Sequence, residues 1–178
     1  SSLEVVNDLV ARLQLRGENI TISPSTLNIS ELEILRHELE SQISKLDETE
    51  YAQRQATSLD EIIGYLKALS SRGLHILADG TRLHIPKGEA PAYLEWVVWR
   101  TFLAIDSLIN PPWESRRFQI DQDFLPISCA PGGGPDMIFE FKDAILVVEV
   151  TLTSSSRQEA AEGEPVRRHV AKYAIERS

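Results

Sequence analysis

The sequence predicts an α/β chain: a helical extension over residues 1–72, then a small mixed sheet flanked by helices over residues 73–178. Three observations carry this. Apolar residues recur at helical spacing through the first 72 positions. Short apolar runs bounded by Gly, Pro and Asp begin at Leu74. One long apolar helix, "AYLEWVVWRTFLAIDSL", separates the first strands from the later ones.

The elements follow in order. "SSLEVVNDLVARLQ" places Leu3, Val6, Leu9, Val10 and Leu13 on one helical face. "SPSTLN" is a turn or loop. "SELE" reads as a capping box, with Ser30 as cap and Glu33 reaching back. Leu32, Leu35, Leu39, Ile43 and Leu46 then form a narrow stripe suited to another helix. "SLDE" is a second capping box, Ser58 with Glu61, and its helix ends near Gly73. No chemistry is visible in residues 1–72, which read as a linker or packing region. "LHILADGTRLHIP" is a hairpin about Asp79-Gly80. After the long apolar helix, "INPPWES" is a break, "RFQI" a short strand and "LPISCAPGGGP" a loop. "PDMIFEFKDAILVVEVT" gives two strands, "SSSRQEAAEGEP" helix or loop, and "PVRRHVAKYAIERS" a helix with Pro165 near its first position.

Bulk properties bound the function. The 178 residues suffice for one domain, or one domain with a helical extension. With 42% hydrophobic and 25% charged residues the composition is that of a soluble globular chain. Apolar runs are too short to span a bilayer, and "SSLEVVNDLV" is no signal peptide. The single Cys129 excludes an internal disulfide and a cysteine-rich zinc site. Together these favour the cytoplasm. The net charge of −9 argues against nucleic-acid binding by bulk electrostatics. It leaves room for an enzyme acting on DNA, because a metal site itself needs acids.

Two acids then stand out, Asp136 and Glu149, each in an apolar strand. A hairpin turning at Lys142-Asp143 would pair Phe141 with Ala144 and, down the ladder, Asp136 with Glu149 on one face. Facing Cβ atoms in such a pair lie about 4.5–5.5 Å apart. Carboxylates that close repel unless one is protonated or a cation sits between them. Oxygen donors select hard cations such as magnesium. The competing reading is two solvent-facing acids on an edge hairpin. Lys-Asp is not a favoured two-residue turn, and one residue of slip would put the acids on opposite faces. A third acid, Glu95, shares a helical face with Val98, Trp99 and Phe102 and needs a partner there. Arg100 or Arg117 would serve, and so would the same metal.

The order of helix with Glu95, strands with Asp136 and Glu149, then a helix resembles the core of PD-(D/E)XK nucleases. More narrowly, "YLEW", "PGGGPDMIFEFKDAILVVEVTLT" and "EGEPVRRH" resemble the cleavage domain of AlwI-type type IIS restriction endonucleases and related nicking enzymes. The resemblance covers about residues 90–178. It implies a magnesium-dependent endodeoxyribonuclease, with manganese as a substitute, acting on double-stranded DNA. It implies that Asp136 and Glu149 bind the metal, with Glu95 as the helix acid of the site. Glu162 falls where the family shows a further acid, and His169 falls on the family's following helix, which implies an approach to the phosphate. Either would serve as general base. The lysine of the wider superfamily is replaced by Thr151, and a small residue there is usual in AlwI-like proteins. The chain end, "AKYAIERS", lies inside the last core helix, which implies a core incomplete at its C-terminus. Sequence recognition would then reside elsewhere, and cutting both strands would take a dimer or a partner subunit.

Other residues read more plainly. Gly132–Gly134 is a flexible strand entry, or else a phosphate cradle. Trp96 and Trp99 belong to a core. Arg157, Arg167 and Arg168 are candidates for the DNA backbone, or solvated surface. His75 and His84 are ordinary surface or half-buried groups, and Cys129 has no visible base partner. Two other functions stay open: a non-catalytic interaction module, which predicts a slipped hairpin, and an RNA-processing or repair nuclease on the same core.

Overall fold

The computed structural model describes residues 1–105, 107–152, 167–171 and 175. Its helices are α1 (Ser2–Leu15), α2 (Ile29–Arg54), α3 (Leu59–Ser70), α4 (Ala90–Leu103) and α5 (Pro112–Ser115). Its strands are β1 (Leu74–Ile76), β2 (Arg82–His84), β3 (Gln119–Ile120), β4 (Pro126–Ser128), β5 (Met137–Phe141) and β6 (Ala144–Val148). Residues 167–171 are helical. None of the described helices is long and apolar enough to cross a membrane. The chain divides into two compact units, Ser1–Glu50 and Tyr51–Ser178. The sequence draws its line after residue 72, but α3 packs on α4 and on the β1–β2 hairpin, and so lies within the second unit.

In the first unit the apolar faces of α1 and α2 meet as their spacing predicts. Val6, Leu9 and Leu13 pack with Leu32, Leu35, Leu39 and Ile43. The capping differs from expectation. Asn28, not Ser30, caps α2: its side chain accepts from the Glu31 N–H at 3.0 Å, and Glu31 accepts from the Asn28 N–H at 2.8 Å. Asn-x-x-Glu and Ser-x-x-Glu overlap here, and the earlier pair wins because Asn caps as well as Ser and adds a turn. Glu33 instead accepts from Ser2 Oγ at 3.0 Å. A box the sequence reading passes over, Ser1 with Glu4, opens α1.

In the second unit Ser58 stands at the cap of α3, but its hydroxyl turns back to the Arg54 carbonyl and makes no cap bond. Glu61 is drawn instead to Arg100 at 2.8 Å. A partner that is itself buried, Arg100, draws Glu61 away from a cap that water can replace. Gly73 stops α3 at a positive φ of 83°, where a side chain would be strained, and its N–H reaches the Ala68 carbonyl.

The strands form antiparallel pairs, β1–β2, β3–β4 and β5–β6, and not the expected mixed sheet among the described residues. The far edge of β5 shows why. The Ile109 N–H donates to the Glu140 carbonyl, Asn110 brackets the strand through Ile138 and Glu140, and Arg116 bridges Met137. Irregular backbone therefore takes the place of a neighbouring strand. Two segments carry more structure than expected: β4 lies inside "LPISCAPGGGP", and α5 inside "INPPWES".

Candidate functional site

Helix α4 is held by its aromatic residues. Trp96 and Trp99 are 1% and 0% exposed, core residues as expected. Their indole N–H groups donate to the Phe124 carbonyl at 2.7 Å and to Ser115 Oγ at 2.9 Å. Phe102 stacks on Phe139 of β5, with ring centroids 4.4 Å apart. The helix is thus fixed in rotation, and Glu95 comes with it, only 6% exposed. Neither predicted arginine becomes its main partner. Arg100 turns to Gln55 and Glu61, while the Glu95 carboxylate accepts from the Ala130 N–H at 2.7 Å and from the Cys129 thiol.

The β5–β6 hairpin has the register the sequence predicts. Phe141 faces Ala144, and the pairs run down to Met137 facing Val148. Neither Lys142 nor Asp143 takes a positive φ, so the turn is not the form that calls for Asn-Gly. Just past that last pair, Asp136 and Glu149 bring their carboxyl groups within hydrogen-bonding reach. The Val150 N–H donates to Asp136 Oδ2 at 2.8 Å, and the Asp136 carbonyl accepts from the Arg117 N–H at 3.1 Å. The slipped hairpin expected of an interaction module does not form.

Three acids therefore converge from a helix and two strands. Burial pushes the Glu95 carboxyl above its ordinary range, the Ala130 N–H opposes this, and the charges of Asp136 and Glu149 add to it. Burial also raises Asp136, as does Glu149, while the Val150 N–H and Arg117 act against them. The Cys129 thiol is pushed up to about 11 by desolvation and by Glu95, which keeps it neutral and unsuited to nucleophilic attack. The arrangement stores like charge, as expected where a cation is to be held.

The chain matches the model of the AlwI restriction endonuclease family over residues 1–178, its whole length. The chain belongs to the AlwI restriction endonuclease family. No curated protein matches it. In this AlwI-family chain the candidate residues lie as follows. Glu95, Asp136 and Glu149 come together, and His169, on the helical segment 167–171, hydrogen-bonds Glu149 through Nδ1. Thr151 is exposed just beyond them. Arg167 and Arg168 are exposed on the same helical segment as His169. Glu162, Arg157 and the helix start at Pro165 lie outside the described residues. The family also takes in residues 1–72, where the sequence offers no motif. Two site neighbours escape the sequence reading as such, Ala130 and Cys129. The only signal for them is that they precede the glycine run leading to Asp136.

Among the described residues no three His, Cys, Asp or Glu side chains form a ready-made metal cage. The paired carboxylates of Asp136 and Glu149 nevertheless suit a cation of magnesium type. Such an ion takes one or two carboxylates and leaves its other positions to water and phosphate oxygens.

Proposed function

We propose that this AlwI-family chain is the cleavage part of a magnesium-dependent type IIS-like restriction or nicking endonuclease, built on a PD-(D/E)XK core and working in the cytoplasm on double-stranded DNA. The observation that carries the reading is the facing pair Asp136 and Glu149 with buried Glu95 beside it. Asp136 and Glu149 would hold the metal, with manganese able to replace magnesium. Bound there, it would supply Lewis acidity and an acidified water for attack on phosphorus.

The protein's own groups do the rest. The Val150 N–H fixes one Asp136 oxygen, which leaves the other to face Glu149. The Ala130 N–H holds Glu95 against the pair, where its raised proton affinity lets it keep or release one proton as charge at the site changes. His169 Nδ1 meets the Glu149 carboxylate; with a proton on Nδ1 facing that carboxylate, Nε2 would be free to accept a proton from attacking water. Glu162 is the other candidate base. Cutting both strands calls for a second site from a dimer or partner subunit, which would also supply sequence recognition.

The test is nicking of supercoiled plasmid by enzyme in excess, with magnesium and with chelator, for the unsubstituted chain and Asp136→Ala. Magnesium-dependent nicking lost in the variant supports the reading. Equal nicking by both chains contradicts it.

A further inference from the structure

The three acids have one cation beside them that the family pattern did not point to. Arg117 follows α5 and precedes β3, and its backbone N–H is bonded to the carbonyl of Asp136 itself. Its guanidinium lies over Gly134. A Cβ built on Gly134 would stand 2.5 Å from Nη1 and 3.0 Å from Cζ. The same Nη1 donates to the Pro135 carbonyl at 3.2 Å. The side chain is therefore laid along the glycine run and held by a neutral carbonyl at one nitrogen, with its charge felt by Asp136. Gly134 makes room for it. This gives the third glycine of the run a job that neither a flexible entry nor a backbone phosphate cradle explains.

We propose that Arg117 is a catalytic residue of the cleavage site, the cation that contacts the scissile phosphate beside Asp136, in a chain whose position 151 carries threonine. The proposal rests on the reading of Asp136 and Glu149 as the cleavage centre. A guanidinium offers five N–H donors in a planar fork that suits phosphate oxygens. One of them is used by Pro135, and the second Nη1–H, Nη2 and Nε are the donors that would meet DNA. The bond through Pro135 fixes the fork relative to the acids, so its charge is in place before the phosphate develops more negative charge.

The geometry supplies a test that separates function from folding. Position 134 has no positive φ, and the atom an added Cβ would meet is the end of a flexible side chain. Gly134→Ala should therefore displace the guanidinium at little cost to the fold. The experiment compares Arg117→Met, Arg117→Lys and Gly134→Ala with the unsubstituted chain and Asp136→Ala. Single-turnover plasmid nicking in magnesium, duplex affinity in calcium and the melting temperature are read for each. Arg117→Met should nick about 100- to 1,000-fold more slowly, the usual loss of one preorganised donor. Its duplex affinity should fall by less than about tenfold, roughly the share of one phosphate contact among many. Arg117→Lys should recover part of the rate. Gly134→Ala should be slow while melting like the unsubstituted chain. Nicking at the unsubstituted rate by Arg117→Met or Gly134→Ala, with Asp136→Ala inactive, overturns the role of Arg117 alone. If Arg117→Met unfolds, Gly134→Ala decides. Equal nicking by Asp136→Ala and the unsubstituted chain, including none by either, overturns the parent reading instead.

Discussion

Two groups of charged side chains in the unit Tyr51–Ser178, each with one buried member on α4, are built on opposite principles. In one, Arg100 is 2% exposed, and every charge has an answer. Its Nε donates to Gln55 Oε1 at 2.7 Å, its Nη1 to Glu61 at 2.8 Å, and its guanidinium lies 4.6 Å from the Trp96 ring centre. In the other, Glu95, Asp136 and Glu149 carry the same sign, and the hydrogen bonds to Glu95 and Asp136 come from Ala130, Val150 and the Cys129 thiol. Both sets hang on helix α4, from Glu95 and Arg100, five residues apart. The first is a satisfied network that ties α3 and Gln55, just after α2, to α4. The second gathers like charges, with His169 against Glu149 and Arg117 near Asp136, an arrangement that fits the metal site proposed above.

If the contrast is real, the two groups should fail in different ways. The largest effect belongs to the acids. Asp136→Ala should slow plasmid nicking by at least about a thousandfold, because a metal site loses its anchoring oxygen. Its melting temperature should not fall. Next comes Arg100→Ala, which should cost about 3–5 kcal/mol of stability, the usual result of removing one partner from a buried charged network. Urea unfolding of the isolated chain measures it.

A pH series sharpens the comparison. Asp136 and Glu95 hold their protons more tightly in the folded chain than in the unfolded one. Between the ordinary carboxylate range and these raised values the folded state binds more protons, so stability falls as pH rises through that window. Asp136→Asn removes part of this slope. Without divalent metal its melting temperature should gain on that of the unsubstituted chain as pH rises from about 4 to 8. Added magnesium should reverse the order by binding only the unsubstituted chain. The smallest effect is Glu61→Gln. Glu61 is 43% exposed, and water screens its pair with Arg100, so the loss should stay under about 1 kcal/mol by the same urea measurement.

The acids could be read from the sequence because each rested on a local period. A two-residue turn and alternation along two strands put Asp136 opposite Glu149. Helical spacing put Glu95 on an apolar face. What depended on distant chain was hidden. Nothing near Asn28 says that its cap defeats the one at Ser30, since both fit the pattern. β4 is masked by the Gly and Pro around it. Among the described residues the expected sheet fails because Ile109, Asn110 and Arg116 cover the edge of β5, and their spacing gives no strand signal. Arg117 was visible only as a candidate for Glu95. Its place over Gly134 depends on a fold contact across 17 residues of sequence.

The most direct test of the acid site is an anomalous difference map at the manganese edge, from crystals of the chain with a short DNA duplex. The account predicts a peak touching both Asp136 and Glu149, which disappears in Asp136→Ala. Well-ordered Asp136 and Glu149 carboxyl groups bonded to each other, with no peak between them while DNA is bound, would contradict it.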